Sequence, residues 1–551
     1  MTSERTCVDA SPNVPRETDV LIVGFGPVGA AIANLLGAYG VNALVVDKST
    51  EIFMAPRAIA LDNEALRVLQ LAGLAEGDFD KIAIPFVRML SPSLGEFGRI
   101  NTLGEKDGHP KLVNFYQPQL ETVLRERLKR YPNVQTGLGV TLTGLTESGD
   151  RVTAALDLGE GEKASVRARY VIGADGASSL VRQLIGQQFE GETYGEDWLV
   201  VDAKAPTRPI DHIEFICDHR RQVPHMPAPG GRERWEFMLR PGETRPQMEN
   251  DATVASLLAP WGRASQMGVE RKAVYRFHAR TAEAFNKGRI FLAGDAAHVT
   301  PPFAGQGLVA GLRDAANLSW KVAWVVQGRA SDAILASYDA ERRPHAKAMI
   351  DFAKFLGRLI MPRSALKAFL VHGLMRLRRL TPAMRRHFDD LGVKPQNTFP
   401  KGLFAPGHSA AKLTRGGQLP QGWIRDSQGR ILLSDDALGP TLTLIGFALD
   451  AEAALSEEPK RAFAARGGRI VQFTHRGQAL HQRETERYED IGGVFMSNAA
   501  RYGWAAIVRP DRVVLIDGPA AEADRLVRES LALLGAPSSL ESLVLRPNFA
   551  T

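Results

Sequence analysis

The chain has 551 residues, and at ~100–200 residues per domain that length points to three or four domains. Hydrophobic residues make up 44% and charged residues 24%, which excludes collagen, a disordered tail and a coiled coil. Lys+Arg stand at 68 against 62 Asp+Glu, a net charge of +6, so the partners to weigh are nucleic acid, a membrane surface or an anionic small molecule.

The opening stretch, residues 1–17, is polar and carries Pro12 and Pro15; it reads as a loose leader without a signal-peptide core. No apolar run reaches the ~18–20 residues of a membrane helix. Two cysteines, Cys7 and Cys217, cannot build a disulfide framework or a four-cysteine zinc site, so no metal is expected. That usage fits a reducing compartment, and a cytoplasmic location is expected.

From Thr18 the run DVLIVGFGPVGAAIANLLGAYGVNALVVDK predicts a strand, a glycine turn, a helix and a second strand. Gly24-Phe25-Gly26-Pro27-Val28-Gly29 forms the turn. Gly24 permits the tight bend, Gly26 lets a pyrophosphate approach the backbone, and Gly29 lets helix and strand pack closely. The helix end offers free N–H groups to phosphates. Asp47, with Lys48 beside it, ends the second strand, where a carboxylate can bind ribose hydroxyls. A helix follows at 118–129, then strands near 140–145 and 152–156, then ARYVIGADG, which closes in Gly173-Ala174-Asp175-Gly176 with Arg182 beyond.

Residues 190–285 alternate and carry Trp198, Phe215, Trp235, Phe237 and Phe277 among charges, the pattern of a mixed antiparallel sheet forming a wall over a pocket. RIFLA (289–293) is a strand again. It closes in Gly294-Asp295-Ala296-Ala297-His298, followed by PPFAGQG (301–307) and a helix from Leu308 to Val326. An Asp at a strand end can hydrogen-bond a ribityl hydroxyl, the later glycines let backbone lie against a flat ring, and the helix dipole would stabilise negative charge on a reduced flavin.

From Arg358 to Arg386 there are eight basic residues and no acidic one, a solvated helix face or a contact for a membrane surface or partner. The segment is short of aromatics suited to stacking, so nucleic acid is not expected. After the Pro/Gly-rich stretch 395–422 the pattern restarts with a strand at 441–447, a helix at 450–465 and a strand at 469–474. A hairpin at 504–516 turning at Pro510–Asp511 and a helix at 520–534 complete it, a βαββα order that reads as a small independent α/β domain.

The three fingerprints in order (GxGxxG, Asp175–Gly176, then Gly294–Asp295 with PPFAGQG) resemble the class A FAD-dependent aromatic hydroxylases, the p-hydroxybenzoate hydroxylase superfamily, over nearly the whole chain. Within it the chain is most similar to the 3-(3-hydroxyphenyl)propionate hydroxylases, through PRAIALDNEALRVLQ (56–70), WEFMLRPGET (235–244), RDAANLSWK (313–321) and ERRPHAKAMID (341–351). The resemblance implies an α/β fold: a Rossmann-type, glutathione-reductase-like FAD domain over 18–80, 110–189 and 286–395, and an inserted mixed β-sheet substrate domain over 81–109 and 190–285. A thioredoxin-like domain over 396–551 would follow. That last domain holds no cysteine, so thiol–disulfide exchange is excluded there and a structural or dimerisation role is left.

The resemblance also implies roles. Arg57 would sit beside the pyrophosphate and flavin, Gln117 at the flavin edge, and Asp175 would serve both FAD and NAD(P)H. Asp295 would hold the ribityl chain, and Pro301 and Pro302 would place carbonyls near flavin and substrate. Gly294, Gly305, Gln306, Gly307 and Leu308 complete the expected FAD contacts. NADH or NADPH would bind without a Rossmann domain of its own. The implied activity is hydroxylation of a phenolic, carboxylated substrate ortho to its hydroxyl, with O2, through a flavin hydroperoxide. A polyketide or other phenol hydroxylase and a non-catalytic flavin-binding protein are the alternatives. A base is sought among His225, His278 and Tyr275, with His225 first. A cation for the substrate carboxylate is sought in Arg220 and Arg221. His298 is read as loop packing.

Overall fold

The computed structural model describes residues 14–55, 57–362, 364–381, 394–478, 486–499 and 502–536. Cys7, most of the expected leader, and Arg363, Arg385 and Arg386 of the basic segment lie outside the described residues.

The apolar strand Glu17–Val23 lies at the centre of the first sheet because both its faces are covered. It pairs in parallel with Ala43–Asp47 on one side and with the end of Glu162–Gly173 on the other. Val134–Leu138 continues the parallel run beyond Ala43–Asp47, and Ile290–Leu292 lies parallel to Val171–Gly173. The hairpin Thr141–Ser148 and Arg151–Gly159 extends the sheet antiparallel. The helices Pro27–Ala38 and Gly307–Val326 pack against each other, so the glycine turn, the 173–176 turn and the 294–307 loop meet at one end of the parallel strands.

The alternating stretch forms a second eight-stranded sheet. Its long strands Phe189–Lys204 and Gly268–Ala282 pair antiparallel, followed by Arg232–Met238, Arg221–Ala228 and Ile213–Asp218. Phe86–Ser91 joins in parallel to Ile213–Asp218, with Gly95–Asn101 at the edge. The outer face packs Trp235, Phe237 and Leu199 under the helix Asp251–Leu258; the other face turns toward the first sheet.

The C-terminal sheet has seven strands. Leu442–Phe447, Gly468–Thr474 and Glu486–Asp490 run parallel, and Trp504–Val508 and Val514–Pro519 complete it antiparallel, a thioredoxin-like arrangement. The short strands Trp423–Arg425 and Ile431–Leu433, and Glu486–Asp490, were not expected from the sequence. Nor does the domain stand alone. Leu442, Leu444, Phe463, Ile507 and Leu515 share one continuous apolar core with Trp320 and Trp324 of the helix Gly307–Val326. Its inner face is completed by a helix of the first domain.

Two buried ion clusters cross the same boundary. Arg509 binds Glu341 through both its terminal nitrogens, at 2.8 and 2.9 Å, and also grips Asp511. Lys321 donates to Glu341 at 2.8 Å, and burial pulls its ammonium down to about 8 against the pull of Glu341. Arg67 grips Asp435 at 2.7 and 2.9 Å.

Candidate functional site

Gly24 turns the chain with φ +101°, a region that favours glycine. A Cβ there would lie 2.4 Å from the Ala174 carbonyl oxygen, and one at Gly29 would lie 2.0 Å from the Gly24 oxygen. Gly24 is therefore fixed by packing against the 173–176 turn, and Gly29 by packing against Gly24 itself. Gly26 differs, because a Cβ there would meet nothing within 4 Å. It is the N-cap of the helix Pro27–Ala38, and no side chain caps that end. The N–H groups of Val28 and Gly29 thus face open space suited to a pyrophosphate.

Asp47 accepts the Phe25 N–H at 2.6 Å and the Ser49 N–H at 2.8 Å, which braces the turn and leaves lone pairs for hydroxyl donors. Lys48 is exposed beside it. Arg125 was missed by the sequence reading. It donates to the Phe25 carbonyl at 2.8 Å and lies 4.5 Å over the Phe25 ring; its only signal was a position one helical turn beyond Glu121. Gln117 accepts the N–H groups of Arg57 and Ala58 at 3.1 and 2.9 Å, so it fixes the Arg57 loop.

Asp175 accepts Ser179 Oγ at 2.5 Å and the Val181 N–H at 3.1 Å, so its carboxylate holds its own turn. Arg182 ties that turn to the next motif, donating to the carbonyls of Ala177 and Ala296 at 2.8 and 2.9 Å. Gly294 (φ +59°) donates its N–H to buried Asp314 at 3.0 Å. The same Asp314 accepts His298 Nε2 at 2.6 Å and Arg342 Nε at 2.8 Å. His298 therefore packs the loop, in the role assigned from sequence.

Asp295 makes no hydrogen bond through its side chain among the described residues. Burial pushes its carboxyl up, opposed by Arg57 and His298. A hydroxyl donor is what this carboxylate lacks. Pro302 is half-buried and its carbonyl accepts the Gly305 N–H at 2.9 Å. Gly305 is left-handed at φ +61°, and a Cβ at Gly307 would meet nothing within 4 Å. The helix Gly307–Val326 starts there uncapped by any side chain, with half-buried Leu308 in its first turn. Gln306 points the other way, hydrogen-bonded to Asp62 at 3.2 Å and accepting from Arg313 at 3.1 Å. An uncapped helix end, an open glycine backbone and a carboxyl with no side-chain hydrogen bond among the described residues together fit the flavin, ribityl and pyrophosphate parts of FAD.

The sheet wall contributes its inner face. Arg234 donates to the Arg57 carbonyl at 3.1 Å, so the side of its strand that carries Arg234, Glu236 and Met238 faces the cofactor loops. Cross-strand partners place Asp202, Trp198, Arg271 and Tyr275 on that face. One end is apolar: Trp198 lies 5.8 Å from Phe277 and 6.1 Å from Phe303. The other end is charged. Arg234 grips Asp202 at 2.6 and 3.1 Å, and Arg271 donates to Asp202 at 3.2 Å and to the Tyr275 hydroxyl. Beside them Glu236 is buried with no hydrogen bond through its side chain among the described residues. Burial raises its pKa, with Arg234 opposing.

Three sequence candidates are reassigned. His225 is fully buried on the other face, bonded to Glu214 at 3.0 Å and Glu233 at 2.6 Å and stacked on Trp235. With both ring nitrogens engaged it is a strut, and it has no route to a substrate proton. Arg220 is held by Asp218 at an exposed turn, and Arg221 by Glu243 and the Met238 carbonyl, so neither is presented to the inner face. His278 is half-buried beside Thr193 at 3.1 Å. Tyr275 is the one of the three proposed bases that lies on the inner face with the charged cluster.

Residues 17–353 match the family described as FAD binding domain, and residues 416–533 match the HcaD C-terminal domain. The chain is 36% identical over 90% of its length to a 3-(3-hydroxy-phenyl)propionate/3-hydroxycinnamic acid hydroxylase of Burkholderia vietnamiensis, covering 93% of that protein. It is 34% identical over 92% of its length to the enzyme of that name from Escherichia coli, again covering 93%. In fold it matches the flavin-dependent monooxygenase PieE, with a TM-score of 0.79 at 20% identity over 96% of this chain and all of the other. It also matches aklavinone-11 hydroxylase, with a TM-score of 0.72 at 23% identity over 94% of this chain and all of the other.

Proposed function

The chain belongs to the FAD-binding flavoprotein aromatic hydroxylases, and from that membership we propose that it hydroxylates a phenolic acid of the 3-(3-hydroxyphenyl)propionate type ortho to its hydroxyl, with NADH or NADPH and O2 as co-substrates, in the cytoplasm. The observation that carries the phenolic reading is Glu236, a buried carboxylate without a side-chain hydrogen bond among the described residues, at the charged end of an otherwise aromatic wall. In this reading the substrate ring lies against the packed cluster of Trp198, Phe277 and Phe303, and its hydroxyl supplies the donor for Glu236.

FAD supplies the electron transfer and the activation of oxygen when bound. The residues of this chain do the rest. Gly26, Val28 and Gly29 hold the pyrophosphate, Asp47 the ribose and Asp295 the ribityl chain. The uncapped end of Gly307–Val326 favours negative charge at the ring. Glu236 accepts the phenol proton and so raises electron density at the ortho carbon. Arg271 and Tyr275 orient the ring, and the Trp198–Phe303 cluster excludes water. A panel of 3-(3-hydroxyphenyl)propionate, resorcinol and a polyketide phenol tests this, scored by hydroxylated product together with NAD(P)H oxidation. The phenolic acid should be turned over best; absence of product across the panel overturns the proposal.

A further inference from the structure

The helix Ala365–Arg378 has one face packed and one face bare. Its inner stripe includes Ala368 and His372, and the His372 ring stacks on Phe97 at 3.9 Å. The opposite stripe, at spacings of three and four, is Leu366, Leu370, Leu374 and Leu377, with Phe369 alongside and Leu380 beyond. Leu366 is 69% exposed, Leu377 62% and Leu380 76%. Large apolar side chains concentrated this way mark a surface that meets an apolar medium. Phe355 of the preceding helix Ala336–Ile360 is a further exposed apolar side chain, while Phe352 and Leu356 of that helix pack inward with Phe303.

Charge selects the occupant. Residues 352–388 contain no acidic side chain. Arg376 and Arg379 are used inward, on the Leu94 carbonyl and Glu96. Arg358, Lys367 and Arg378 stay exposed and form no ion pair among the described residues. A second copy of this chain would bring its own cations and no acid to the contact. An anionic bilayer surface satisfies both halves of the patch, because aliphatic side chains enter the acyl boundary while the cations stay at the headgroups.

We propose that the bare face of Ala365–Arg378 docks the enzyme reversibly on anionic membrane surfaces. The test is flotation of the flavin-loaded enzyme with vesicles of equimolar phosphatidylglycerol and phosphatidylcholine, against phosphatidylcholine alone. Wild type should float with the anionic vesicles at low salt, and salt should release it. Leu370→Glu with Leu377→Glu, or Lys367→Glu with Arg378→Glu, should each weaken partitioning by roughly tenfold or more while flavin content and turnover in solution stay unchanged. The proposal is overturned if wild type does not bind, if it binds neutral vesicles equally, or if both variants bind as wild type does. Light scattering that shows the leucine variant converting a dimer to a monomer overturns it as well, since the face would then close on a second copy.

Discussion

Glu236 carries the clearest consequence of a single side chain. Burial lifts its pKa above the ordinary value of about 4.3, so turnover should rise with pH through that raised pKa as the carboxylate forms. Glu236→Gln keeps the shape and removes the base. Its kcat should fall by about 100-fold, with bound flavin retained and the acidic limb of the pH–rate profile lost. The sign for stability is opposite. A carboxyl whose folded pKa is raised destabilises the fold once pH exceeds the unfolded pKa, so the amide should be at least as stable as wild type at neutral pH. A pH profile that survives the substitution would remove Glu236 from the mechanism. The residue was legible in the sequence only as part of WEFMLRPGET. Along RERWEFM both faces of the strand carry charge, Glu233 beside Trp235 and Phe237 on one and Arg234 with Glu236 on the other, so the charges do not mark an inside and an outside, and attention falls on histidines instead. His225 drew notice for its chemistry, and its chemistry is spent on Glu214 and Glu233.

The helix Gly307–Val326 is the element that joins the motifs. Its uncapped start faces the cofactor loops, Asp314 holds the Gly294 turn from within, and Trp320 and Trp324 enter the core shared with the C-terminal sheet. This element, the first βαβ unit and the C-terminal hairpin were readable beforehand because long apolar runs bounded by glycine have one solution. The short strands Trp423–Arg425 and Ile431–Leu433 were not, since three residues carry no period. Burial pushes the Asp314 carboxyl up, but His298 and Arg342 outweigh it and hold the group below its ordinary range. It therefore contributes stability at neutral pH that is lost as pH falls below about 4. Asp314→Ala would leave the Arg342 guanidinium buried without its carboxylate and Gly294 without its acceptor. Denaturant unfolding should show a loss of about 3–5 kcal/mol, and flavin absorbance per protein should drop with it. Unchanged flavin retention would show that the Gly294 turn holds itself.

At the scale of the molecule, the C-terminal domain is bound by a common core and by the Arg509–Glu341 and Arg67–Asp435 clusters. Calorimetry of wild type should therefore show one unfolding transition. Arg67→Ala with Arg509→Ala, which strips buried Asp435 and Glu341 of their strongest partners, should lower it and divide it in two; two transitions in wild type would contradict the shared core. Charge is distributed less evenly than the core. The chain totals +6, while residues 358–386 alone supply +8, so everything else sums to −2. Among the described residues Arg358, Lys367, Arg376 and Arg378 of this stretch stay exposed, so its helices give the surface a cationic pole. Such a particle is turned by a field before it touches anything. Near a negatively charged boundary its random tumbling is biased so that the pole leads, and productive encounters become more frequent than net charge alone would allow, an advantage that fades as ionic strength rises.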